Sequence, residues 1–302
     1  VEERKAIFKV HTKNLKYDDK QVDLEFLSKQ TPGFSGADIA NLCNEAALIA
    51  ARNNKRIIEK QDFLDAVDRI IGGLEKKNKI IKPREKKTIA YHEAGHASVS
   101  WLLEHANPLV KVTIVPRGQA LGAAWYLPEE RQITTKAQLL DQMVSLLGGR
   151  AAEELVFGEV STGALNDLER VTKQAYAMVV YYGLDKEIGN LSFYDSSGQS
   201  EYGYQKPFRE KTAEKIDAQI RTMVEEAYEK AKSLLKDNRE KLDALAQILV
   251  EREVIFREDV EAIYGPRPWD AETEIKKDET ETKKEETEIK KEEIEIKKEN
   301  DE

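Results

Sequence analysis

His92-Glu93-Ala94-Gly95-His96 lies inside a run, Ile89 to Leu102, that holds no proline and a single glycine. Pro83 suits a first helical turn, so an amphipathic helix is expected from there to about Glu104, with Ile89, Ala97, Trp101 and Leu102 free to pack. On a helix, residues four apart share one face. The two imidazoles would then stand one turn apart, and neutral imidazole nitrogens are good zinc ligands. Glu93 sits beside the first histidine, where its carboxylate can reach a water at the metal without ligating the metal itself. This is the HExxH pattern, in which the glutamate serves as general base. The bland alternative is a pair of ordinary helix histidines. Against it, the motif holds two of the four histidines of the chain, and Gly95, costly inside a helix, makes sense if another segment must approach closely there.

A catalytic zinc usually keeps three protein ligands and an open position. A third histidine six residues after His96 would mark one large class, but that position is Leu102. His105, nine residues on, reads as a helix-end residue. The third ligand should therefore be acidic and farther along. Glu153, Glu154 and Asp167 qualify, and spacing alone does not choose among them.

The remaining composition is that of a globular chain with a charged surface. Of 302 residues, 40% are hydrophobic and 35% charged, enough to build one or two cores. The net charge of −9 disfavours binding to a phosphate backbone, so no nucleic-acid partner is expected. Cys43 is the single cysteine, which excludes an internal disulfide; its neighbours Ala40 to Ala47 read as buried helix. No run of 18 apolar residues exists, and Val1-Glu2-Glu3-Arg4-Lys5 does not open a signal peptide. A chain opening on Val1 is expected to be a soluble fragment of something longer.

Three regions are expected. Residues 1–78 read as a small helical module, with a linker to about 82. One helix begins at Asp23-Leu24-Glu25, Thr31-Pro32-Gly33 breaks it, and a long helix runs from about Ala37 to Asn53. Its Ile39, Leu42, Ala46, Ile49 and Ala50 line one face, and Ser35 or Asp38 can cap it. A third helix spans Glu59 to Ile70 and stops at Gly72-Gly73. Residues 83–269 should form a larger, mostly helical domain with a small sheet: Val110 to Val115 and Leu121 to Leu127 are the strand candidates. Within the second, Gly122 to Tyr126 could pair with an extended peptide or be an ordinary sheet strand. Long helices follow at Ala164–Tyr181, Lys211–Asp237 and Leu242–Glu251. Residues 270–302 hold a seven-residue repeat of Lys pairs and acids with too few apolar positions for a coiled-coil seam. A solvated tail is expected, with partner binding as the lesser alternative.

Four blocks together resemble the FtsH family of membrane-anchored, ATP-dependent zinc proteases. They are His92 to His96, Lys111 to Gly118, Leu147-Gly148-Gly149-Arg150-Ala151-Ala152-Glu153-Glu154, and Ser161-Thr162-Gly163-Ala164-Leu165-Asn166-Asp167. The resemblance implies that Asp167 is the third zinc ligand, with Glu153 a rival. Thr31 to Ile39 resembles the start of the family's helical AAA lid, which implies nucleotide contact near Gly36 and Ala37. The sequence holds no GxxxxGK[ST] phosphate loop, so ATP and Mg2+ belong to the full-length family member, and no ATP hydrolysis is expected here. The resemblance further implies a homohexamer, unfolded or membrane-extracted protein substrates, and a full-length protein at the cytoplasmic face of the bacterial inner membrane, with its ATPase core and membrane helices outside this chain. Fold class follows as mainly α: a small helical lid, then a mostly helical zinc protease domain with a small β-sheet. Three rivals remain: an inactive scaffold, an adaptor working through the charged tail, and a zinc aminopeptidase. Intact Glu93 speaks against the first, and no acidic block marks the amine pocket that the last requires.

Overall fold

A computed structural model describes residues 1–31, 33–73, 81–116, 121–126, 133–194, 208–267 and 269. Expectations for the Glu75–Lys79 linker, Pro32, Arg117–Gly118, Leu127, the Ser196–Gly198 turn and the repeat tail fall outside them. The chain divides into a compact unit, Val1–Ile263, and a remainder from Tyr264; the sheet, the site and every helix but the last residue of the final one lie in the first.

Four helices open the chain: α1 (Glu2–Thr12), α2 (Leu24–Gln30), α3 (Gly36–Arg52) and α4 (Lys60–Gly72). Helix α1 carries no motif that announces it, yet it buries Phe8 and Thr12, one turn apart. Asp23 caps α2. Ser35 and Asp38, each a plausible cap for α3, work together, since Ser35 Oγ accepts from the Asp38 N–H while Asp38 accepts from the Ser35 N–H. Phe8, Leu27, Ile39, Leu42, Ala46 and Phe63 form the core of this region. Cys43 belongs to that core, and burial pushes its thiol up to about 12.

Helix α5 (Pro83–Leu102) carries the histidine motif. It was expected to be amphipathic, and in its second half it is not: every residue from Ile89 to Trp101 is buried. The helix is enclosed by α6 (Lys136–Phe157), α8 (Glu210–Asp237), α9 (Arg239–Arg252) and the sheet. A helix enclosed on all sides needs no polar face. Strands β1 (Leu109–Thr113), β2 (Ala123–Tyr126) and β3 (Val254–Phe256) pair antiparallel in the order β2-β1-β3. Strand β3 is too short for an alternation pattern to reveal, and α10 (Arg257–Tyr264) follows it directly. The single helix expected over Ala164–Tyr181 is three pieces: a 3₁₀ turn (Thr162–Ala164), α7 (Leu165–Tyr176) and a π-helical turn (Ala177–Tyr181).

Polar ties hold the enclosing helices in register. Tyr91 donates to Asp243 at 2.8 Å, joining α5 to α9. Arg239 meets the same carboxylate at 3.0 Å and the carbonyl of Leu155 at 3.2 Å. Tyr228 and Lys232 on α8 both donate to Glu154 on α6.

Candidate metal centre

Three side chains from two helices converge. Nε2 of His92 and Nε2 of His96 lie 3.1 Å apart, and Oδ2 of Asp167 stands 3.4 Å from each. Among the described residues these form a group whose ligand atoms are mutually within 4.8 Å. Asp167 arrives there because the 3₁₀ turn feeds it into the first turn of α7, where the helix dipole favours a negative charge.

The other ring nitrogens are held as well. Nδ1 of His92 is 2.6 Å from Oε1 of Glu153, and Nδ1 of His96 is 2.9 Å from the carbonyl of Ser145. Both partners accept, so each Nδ1 carries the proton and each Nε2 faces the shared point. This is the arrangement that fixes tautomer and ring orientation in metal sites. Two nitrogens and a carboxylate oxygen, all buried or half-buried, match the donor set of a catalytic zinc with one position left open. Gly149 on α6 leaves the space: a β-carbon there would fall 2.6 Å from both Nε2 atoms.

Glu153, a rival for the metal in the sequence, stands behind His92 instead. Its second oxygen accepts the Ser161 N–H at 2.6 Å, so the same carboxylate orients a histidine and tethers the turn that delivers Asp167. Burial works against its charged form, but the hydrogen bonds from His92 and Ser161 outweigh that and hold its pKa down. Glu154 is spent on α8, as described. His105 lies beyond the end of α5, where its N–H meets Asp141 at 3.3 Å. The carbonyl of Ser145 has no sequence signature, being backbone. The adjacent glycines Gly148-Gly149 inside a helix were a usable sign of close approach.

Charge within the site is strongly coupled. Burial opposes an imidazolium at His92, yet the carboxylates of Asp167 and Glu153 prevail and raise it from 6.5 to about 10. Asp167 is pushed up by burial but pulled further down by hydrogen bonds to the two histidines. Glu93, 6% exposed, is pushed up by burial, against the pull of His92 and His96. A carboxylate in such surroundings is a better base than one in water. The backbone of Gly122 abuts it, with room for no side chain: a β-carbon there would sit 2.7 Å from Oε1 of Glu93.

The site opens into a cleft of about 1270 Å³. Its walls include Gly122, Ala123, Ala124 and Tyr126 of the β2 segment and Arg170 of α7. Ser100 donates to the Tyr126 hydroxyl at 3.0 Å. Gly36 and Ala37 lie elsewhere, at the start of α3, where Gly36 is half-buried and Ala37 exposed.

Residues 79–263 match peptidase family M41, and residues 21–65 match the AAA+ lid domain. The chain is 64% identical over 267 residues to the ATP-dependent zinc metalloprotease FtsH of Parabacteroides distasonis, covering 88% of this chain and 39% of that protein. It is 57% identical over 272 residues to the protein of the same name from Rhodothermus marinus, covering 88% and 38%. It is 48% identical over 269 residues to the mouse mitochondrial inner membrane m-AAA protease component AFG3L2, covering 88% and 33%. The chain thus spans at most about two fifths of the length of these relatives.

Proposed function

The chain belongs to peptidase family M41, and on that premise we propose that it is the lid and protease portion of an ATP-dependent zinc endopeptidase. The observation that carries this is the convergence of His92 Nε2, His96 Nε2 and Asp167 Oδ2 next to a buried Glu93, at the floor of an open cleft. When bound there, zinc supplies Lewis acidity, making water acidic enough to ionise near neutral pH and polarising the scissile carbonyl. His92, His96 and Asp167 would hold it. Glu93 takes the proton of the attacking water and later returns it to the leaving amine. Glu153 and the Ser145 carbonyl keep both rings aimed. The β2 segment, with Gly122 and small Ala123 and Ala124, admits an extended peptide alongside.

The wider reading rests on the relatives. Their names support ATP-driven work, and one of them carries an inner-membrane address. We therefore infer substrates that are unfolded or membrane-extracted proteins, a homohexameric assembly, and for the full-length bacterial protein a place on the cytoplasmic face of the inner membrane. No helix among the described residues is long and apolar enough to cross a membrane. The division we propose is a lid over 1–78, a peptidase domain over 83–269 and a charged tail over 270–302, with Gly36 and Ala37 facing nucleotide in the assembled protein.

The test is cleavage of casein by the zinc-loaded chain and by Glu93→Gln, with zinc measured in both. Zinc in both and a rate reduced by about 10²–10⁴ in the variant is expected of a general base. Equal cleavage by both would remove Glu93 from the chemistry. Zinc without cleavage by either would point to a need for the ATPase half or for ring assembly, and absence of zinc would put the site assignment in doubt.

A further inference from the structure

An ion pair joins the lid region to the sheet. Nζ of Lys111 on β1 meets both carboxylate oxygens of Asp68 on α4. The two side chains are only 12% and 10% exposed. A pair this buried adds little net stability over an apolar pair of the same volume, because both charges give up water. Removing Asp68 is another matter, since the buried Lys111 ammonium then loses its carboxylate. Such a pair specifies how two surfaces dock more than how firmly. Helix α4 packs mainly on α3.

Lys111 has a second contact. It stands opposite Trp125 in the β1–β2 ladder, and its Nζ lies 5.4 Å from the indole centroid, within reach of a cation–π attraction. Trp125 is absent from the cleft wall, whereas Gly122, Ala123, Ala124 and Tyr126 line it. Asp68, Lys111 and Trp125 therefore back the strand that forms the cleft on its other side, and the residue just before that strand is Gly122, pressed against Glu93.

We propose that Asp68 is a positioning residue for the peptidase cleft, holding β2 and Gly122 in place through Lys111. It never touches substrate. Its effect on cleavage rests on the peptidase reading above; its effect on β2 does not. A displacement of the lid would reach the cleft through this pair.

The experiment is hydrogen–deuterium exchange over residues 121–126 in the parent, Asp68→Asn, Lys111→Arg and the double variant Asp68→Asn/Lys111→Met, alongside zinc content and the kinetics of a short unstructured peptide. In Asp68→Asn, exchange over 121–126 rises at least about tenfold while α5 stays protected. KM rises and kcat changes less, zinc is retained, and Lys111→Arg, which keeps the charge, behaves as the parent. Unchanged exchange over 121–126 in a folded Asp68→Asn overturns the proposal, as does a loss of protection spread evenly through the chain. If Asp68→Asn does not fold, the double variant decides, because it removes both charges of the pair: faster exchange over 121–126 supports the proposal and parental exchange overturns it. A parent that binds no zinc would sink the peptidase reading, while the exchange data would still decide the role of Asp68.

Discussion

Gly95 on α5 and Gly148 on α6 face each other so closely that a β-carbon on Gly95 would lie 2.4 Å from the Gly148 carbonyl oxygen, and one on Gly148 would lie 2.7 Å from that of Gly95. No relaxation of a flexible side chain relieves either contact, since backbone is met on both sides. Gly148→Ala must push the helices apart, and overpacking of this kind costs about 1–3 kcal/mol. Urea unfolding should show that loss, together with weaker zinc binding, because Ser145 and Glu153 ride on the displaced helix. Parental stability and zinc affinity in Gly148→Ala would show that the crossing adapts freely.

Gly149 and Gly122 make a contrasting pair. A methyl at Gly149 enters the space between the two Nε2 atoms, so Gly149→Ala should lose zinc and activity together. A methyl at Gly122 meets Glu93 instead. Gly122→Ala should keep its zinc and lose about 10²-fold in kcat, the scale of a small misplacement of a reacting group. Zinc content and kinetics measured on both variants separate the two roles; loss of zinc from Gly122→Ala would contradict the assignment.

Glu153→Gln keeps the shape but weakens the grip on His92 and on the Ser161 turn. Partners of this kind typically govern about 10–100-fold in metal affinity. Competition with a chelator should reveal that drop, and excess zinc should recover much of the activity. A ligand directly on the metal would not be rescued so readily.

Protons compete with zinc at His92. In the metal-free protein its pKa is raised from 6.5 to about 10, burial being outweighed by Asp167 and Glu153. A raised folded-state pKa contributes stability that is full below 6.5 and is lost as pH rises through about 10. Zinc must displace that proton, so its affinity should climb with pH over the same window. The gain in Tm on adding zinc should therefore be larger at pH 8.5 than at pH 6.5, about two units of pH being enough to resolve it. Calorimetry in buffers of differing ionisation heat should register a released proton. A zinc effect on Tm that is flat with pH would mean His92 is neutral before the metal arrives.

Much of this was legible in the sequence where local chemistry and tertiary structure agree. Ser35 and Asp38 announce the start of α3, and a four-residue histidine spacing announces a shared face. What was lost depends on contacts between distant segments. The enclosure of α5 arises from helices more than 100 residues away, such as α8 and α9, and no local pattern reports it. Glu153 and Asp167 are both acids at plausible positions; only the fold sends one behind His92 and the other beside both rings. Strand β3 holds three residues, fewer than a period-two pattern needs to stand out.

Strand β2 is the outermost of the three described strands on the cleft side. A partner aligned there would be read through its amides and carbonyls, which every residue supplies except proline, whose nitrogen carries no hydrogen. Tolerance of nearly any side chain thus comes with one built-in exclusion. The map of cut sites on a disordered protein should be broad in composition and thin in proline at the positions lying along Ala123 to Tyr126.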